Sequence, residues 1–166
     1  APPPPPHHPT GMLRGVVKQV LSGDTLVVQG MDASRGPPPE KQLTLAYLSA
    51  PRLGNRNQPD TAFAWPAREF LRGWLIGKPV NFRVDYANQT GRQFGTVMTD
   101  DGAHVGLAVV AEGWARVFAP RPAEGAPLAA GMEPGGVVER LQAAEAAARA
   151  EQKGMWNDAP GAAAAA

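Results

Sequence analysis

Proline and glycine arrive in clusters that cut this chain into short pieces, and that punctuation constrains its fold more than any other feature. Six prolines stand in the first nine residues, three at Pro37–Pro39 and four between Pro120 and Pro134. Proline fixes φ and removes a backbone donor, so these stretches sustain neither a helix interior nor a central strand. What remains between them suits short strands and helices around one small core. At 166 residues the chain holds one domain's worth of sequence.

Those pieces have readable periodicities. Gly15–Leu21 and Thr25–Val28 are rich in β-branched residues and are joined by Ser22-Gly23-Asp24, turn chemistry for a tight hairpin. Alternation predicts a third strand over Gln42–Leu48, beyond the loop that holds Gly36 and Pro37–Pro39. Ala67, Phe70, Leu71, Trp74 and Leu75 recur at helical spacing, with Pro66 in the first turn and Gly77 at the end. Arg68 and Arg72 lie one turn apart on the other face, where both are expected to point to solvent. Two further strands, Val80–Tyr86 and Gln93–Thr99, flank an Asn88–Gly91 hairpin loop. A short helix over Val105–Glu112 ends at Gly113, a returning strand over Trp114–Phe118 follows, and Val137–Gln152 reads as an alanine-rich helix stopped by Gly154. Five short strands with helical decoration predict an α+β domain dominated by a five-stranded OB-fold barrel over residues 12–158. Residues 1–11 and 159–166 read as tails and 119–134 as an irregular loop.

Several function classes drop out. There is no cysteine, hence no disulfide framework, thiol nucleophile or Cys-ligated zinc. No run of eighteen apolar residues exists to span a bilayer, and the start lacks a signal-peptide layout. The expectation is a soluble protein with no membrane partner, cytoplasmic and also nuclear. The chain does not begin with methionine and is expected to be a piece of a longer one. His7 and His8 on the proline run lack the further ligands of a metal site, and the run itself reads as a linker or as a ligand for protein partners.

Net charge is only +1, but its distribution is uneven. Residues 35–99 carry nine bases against four acids, while residues 100–166 carry five against nine. A basic middle is a reason to look for a polyanion. Phe63 and Trp65, ahead of the first helix, are the aromatics left open for stacking; Phe70, Trp74, Trp114 and Trp156 are assigned to the core.

Four fragments in register now bear on family. Ser22-Gly23-Asp24-Thr25, Trp65–Leu71, Val109–Ala115 and Lys153–Trp156 together resemble the staphylococcal nuclease-like domains, and in particular the first such domain of the Tudor staphylococcal nuclease (Tudor-SN) family. That resemblance implies calcium-dependent phosphodiester hydrolysis in active members. It also implies nuclease-like and Tudor neighbours in a longer chain, with roles in RNA silencing and decay, transcriptional coactivation and stress granules.

Set against the family's charged positions, this chain departs at four of five. Asp24 matches the metal-binding aspartate after the first strand, whereas Thr44 stands where an arginine is expected in the third. Ser49-Ala50-Pro51-Arg52 replaces an Asp-Thr-Pro-Glu element, and Thr96 follows Gly95 where a second arginine is expected. One vestigial carboxylate is a poor calcium site, and neither Asp60 nor Asp101 is spaced to join it. The leading expectation is therefore a catalytically degenerate domain that binds structured or double-stranded RNA through Lys18, Arg52, Arg56, Arg68, Arg72 and Arg92, with no cofactor. The alternatives are a calcium-dependent endoribonuclease, in which Asp24 holds the metal, and a protein-interaction scaffold.

Overall fold

In the computed structural model of the chain, described here for residues 12–30, 36, 39–54, 56–59, 61–118 and 135–157, the first hairpin is formed by β1 (Leu13–Val20) and β2 (Thr25–Gly30). β3 (Glu40–Leu45) pairs antiparallel with β2, and Thr25 lies opposite Thr44. β5 (Pro79–Ala87) and β6 (Gln93–Thr99) form the second hairpin. The barrel closes in the order β1-β2-β3-β6-β5, with β3 and β6 parallel and the other pairs antiparallel. This is the expected OB-type α+β barrel. Closure gives every barrel strand a partner on both sides, and the interior fills with Val17, Leu26, Leu43, Leu45, Val80 and Val97, each at most 1% exposed.

The third strand is shorter than its alternation suggests. It ends at Leu45 because Tyr47 takes a left-handed φ of 64°, and β4 (Leu48–Ser49) leaves in a new direction to pair with β7 (Arg116–Val117). The Tyr47 N–H donates to the Tyr86 hydroxyl at 3.2 Å and its carbonyl accepts from Phe118 N at 2.7 Å, so the bend is tied on both sides.

α1 (Ala64–Leu75) buries Ala64, Ala67, Leu71 and Leu75 against the barrel, the face its periodicity marks. Arg68 does not stand free in solvent as expected. Its Nε donates to the Val20 carbonyl at 3.0 Å, strapping the helix to the end of β1. Arg72, half-exposed, pairs with Glu69 at 3.6 Å. α2 (Val105–Ala111) and α3 (Val137–Ala150) pack on each other, and a 3-10 turn, Gly154–Trp156, closes the described chain. α3 stops two residues short of Gln152, which adopts φ 53°. Trp114 packs against the core; Trp156 instead is half-buried, with the guanidiniums of Arg116 and Arg149 at 5.1 and 4.2 Å from its ring centre. The proline run 1–11, the 119–134 stretch, the end 159–166 and Asp60 lie outside the described residues. Among those described, no helix is long and apolar enough to cross a membrane.

His104 caps α2, its Nδ1 accepting from Leu107 N at 3.1 Å, and burial depresses its pKa, reinforced by Arg140 across from α3 and by Arg83, with Asp85 opposing. A folded state that resists protonating this ring binds fewer protons than the unfolded chain. Stability is therefore fully present above the unfolded value of about 6.5 and is lost as pH falls through the lower folded value. His104→Asn keeps a cap acceptor and removes the titration. Urea titrations from pH 8 to 5 should show a flatter acid-side fall in the variant; identical pH profiles would refute the assignment.

Candidate functional site

The β1–β2 turn, the loop after β4 and the β5–β6 turn meet at one end of the barrel. Gly23 permits the first of these approaches, since a Cβ there would sit 2.9 Å from Ala50 Cβ and 2.8 Å from Ala67 Cβ. Asp24, only 8% exposed, is held by that turn. Its Oδ1 accepts from Ser22 Oγ at 2.7 Å and Thr25 Oγ1 at 2.8 Å, and its Oδ2 accepts from Ala50 N at 3.0 Å. The carboxylate thus fastens the turn to the loop after β4.

Beside it lies Arg92, aimed by the turn that precedes it. Asn88 Oδ1 accepts from Thr90 N at 3.1 Å and from Arg92 N at 2.9 Å, fixing the hairpin. The guanidinium then reaches inward, Nε donating to Thr44 Oγ1 at 2.9 Å and Nη2 to Thr25 Oγ1 at 3.0 Å. Its Cζ lies 5.7 Å from the Phe94 ring centre. Two neutral hydroxyls orient this cation without neutralising it.

The arginine expected to be lost at Thr96 therefore has a chemical counterpart. Thr96 itself faces Asp85, donating to Oδ2 at 2.6 Å, and does not line the cleft. It is the Gly91-Arg92 pair, not Gly95-Thr96, that brings a guanidinium to the cleft, and it arrives where Thr44 has left room.

A cleft of about 230 Å³ collects Asp24, Thr25, Gln42, Arg52 and Arg92. A neighbouring pocket lined by Thr90–Gln93 shares Gln42 and Arg92 with it, and a second pocket of about 370 Å³ shares Arg52. That second pocket contains Arg116, which periodicity did not single out. Its signal was faint: a two-residue strand whose pairing with Ser49 becomes visible only once the Tyr47 bend is known. Of the sequence candidates, Asp24, Arg52 and Arg92 come together; Lys18, Arg56, Arg68 and Arg72 line none of these cavities.

A family model described as staphylococcal nuclease homologue matches residues 42–158. The chain belongs to the staphylococcal nuclease homologue family. It is 42% identical over 154 residues to Ribonuclease TUDOR 2 of Arabidopsis thaliana, covering 91% of this chain and 15% of that one. To the Staphylococcal nuclease domain-containing protein 1 of Drosophila melanogaster it is 38% identical over 163 residues, covering 92% and 16%. Endonuclease YhcR of Bacillus subtilis is 25% identical over 163 residues, covering 93% and 12%. The chain thus spans about a sixth or less of these relatives, and within them it is similar to a nuclease-like domain of the Tudor-SN proteins.

The calcium that this nuclease family implies does not fit the residues present. Calcium takes six to eight oxygen ligands and gains affinity from carboxylate charge. Asp24 has both oxygens committed to hydrogen bonds, and the facing side chains are the cations Arg52 and Arg92. Among the described residues no three His, Asp or Glu side chains gather to hold a metal.

Proposed function

We propose that this domain binds RNA at these cavities and does not cleave it by the calcium route of its family. The observation that carries the reading is how the arginines are paired. Arg14, Arg68, Arg72, Arg83 and Arg149 each meet a carboxylate. Arg52, Arg56, Arg92, Arg116 and Arg140 have no carboxylate partner among the described residues, and three of these five line these cavities. An unneutralised guanidinium beside hydroxyls and amides is built for phosphate. Relatives named as ribonucleases make RNA the first polymer to test. In a longer chain of that type, engaged in RNA silencing or decay, the domain would hold the strand while other domains act on it.

Fluorescence anisotropy with a labelled RNA across a salt series tests this. With three phosphates engaged, log K should fall against log salt with a slope of about −2 to −3. Arg52→Glu should weaken binding and flatten that slope, while Arg72→Glu changes neither. RNA cleavage that needs calcium, stops with chelator and disappears in Asp24→Ala would overturn the binding-only reading.

A further inference from the structure

The second pocket differs in chemistry from the first. Its lining is mostly apolar, with Pro51, Phe63 and Met155 prominent, and its two cations, Arg52 and Arg116, have no carboxylate among the lining residues. It is also assembled from three distant parts of the chain. The Ser49–Arg116 pairing of β4 with β7 sets one wall, Phe63 at the N-cap of α1 sets another, and Met155 is seated by its N–H donating to the Gly113 carbonyl at 2.9 Å.

Arg116 is held in place by an aromatic face rather than by an anion. Its Cζ lies 5.1 Å from the Trp156 ring centre, and the same ring has Arg149 at 4.2 Å, itself neutralised by Glu145 at 3.3 Å. Glu145 also accepts from Val117 N at 2.6 Å, which fixes β7 beneath. The guanidinium of Arg116 is therefore positioned, yet among the described residues it meets no carboxylate. A pocket with an apolar middle and two cations that meet no carboxylate among the described residues matches a planar apolar group carrying negative charge at its edges. A nucleobase with its flanking phosphates has that form. At about 370 Å³ the pocket lies in the range that encloses one small-molecule-sized group, which a paired base locked in a helix cannot become.

We infer that this pocket is a subsite for one unpaired nucleotide, the base resting against Phe63 and Met155 and the phosphates met by Arg52 and Arg116, so that the domain takes single-stranded RNA. This rests on the RNA-binding reading above, since Arg52 is shared between the two cavities, and it sharpens that reading away from duplex RNA.

Labelled decauridine, the same strand with one abasic residue, and the decauridine–decaadenosine duplex distinguish the outcomes. The unpaired strand should bind at least tenfold more tightly than the duplex. Phe63→Ala should weaken decauridine by about 5- to 150-fold, the range of one base–aromatic stack, and should erase the preference for the intact over the abasic strand. Met155→Ala and Arg116→Gln provide second variants should Phe63→Ala unfold, with thermal melting of each as control. Binding that depends on Arg92 but is indifferent to Phe63, Met155 and Arg116, or that favours the duplex, overturns the subsite and leaves RNA binding standing. No binding of any of the three RNAs at low salt overturns both. Displacement of bound decauridine by the abasic strand as effectively as by the intact one also refutes the base subsite.

Discussion

Gly113→Ala should remove about 3 kcal/mol or more of folding stability, a loss large for a single added methyl. Gly113 ends α2 in a Schellman arrangement: its N–H donates to the Val110 carbonyl at 3.0 Å and the Trp114 N–H to the Val109 carbonyl at 3.0 Å. This geometry holds φ at 82°, where a residue with a Cβ costs roughly 1–2 kcal/mol. The added Cβ would also lie 2.1 Å from the Lys153 carbonyl oxygen, which is backbone and cannot rotate away. Overpacking of that kind costs about 1–3 kcal/mol more. Gly102 supplies the control. It has a similar φ of 90° but open space around it, so Gly102→Ala should cost only the conformational part, about 1 kcal/mol. Urea unfolding with unchanged m-value measures both. Equal losses in the two variants would mean that the α2 end and the Lys153–Gly154 segment do not cross as closely as described. Because Met155 hangs on the Gly113 carbonyl, Gly113→Ala should also loosen the pocket wall that Met155 supplies.

That crossing shows how far sequence reading reaches. The stop after α2 was legible at Gly113, and so was the bulky Met155-Trp156 anchor, because glycine and aromatic residues announce local chemistry. Their mutual contact was not, since it depends on where α3 returns the chain. The same division runs through the site. Periodicity located β1, β2, β5, β6 and the buried face of α1 within a residue or two, because burial on one side repeats along an element. It misplaced Arg68, whose helical position suggested solvent while its Nε found the Val20 carbonyl. It also missed Arg116, whose role depends on a left-handed Tyr47 turning β4 toward β7, a conformation that a tyrosine gives no reason to expect. Aligning charged positions by strand number placed the missing arginine at Thr96. The hairpin brings Arg92 in instead, because Asn88 locks a turn whose outcome is three-dimensional.

Arg92→Glu should reduce RNA affinity by about 100-fold at moderate salt, equivalent to about 2.7 kcal/mol. Three losses combine. The phosphate partner disappears, the hydrogen bonds to Thr44 and Thr25 go with it, and a second carboxylate enters a cleft where Asp24 is only one hydroxyl away through Thr25. Two carboxylates in one partly buried cleft repel each other, so the variant should also be less stable and more so as pH rises. Arg92→Met separates these contributions. It removes the cation but adds no charge, so it should lower affinity by about tenfold, reduce the salt slope by about one unit, and leave stability with little pH dependence. Asp24→Asn introduced into Arg92→Glu should recover stability while leaving RNA affinity low, because it relieves the repulsion without restoring the cation. Recovery of RNA binding in that double variant would mean that Arg92 acts by neutralising Asp24 and not by meeting phosphate, and the cleft would lose its central cation.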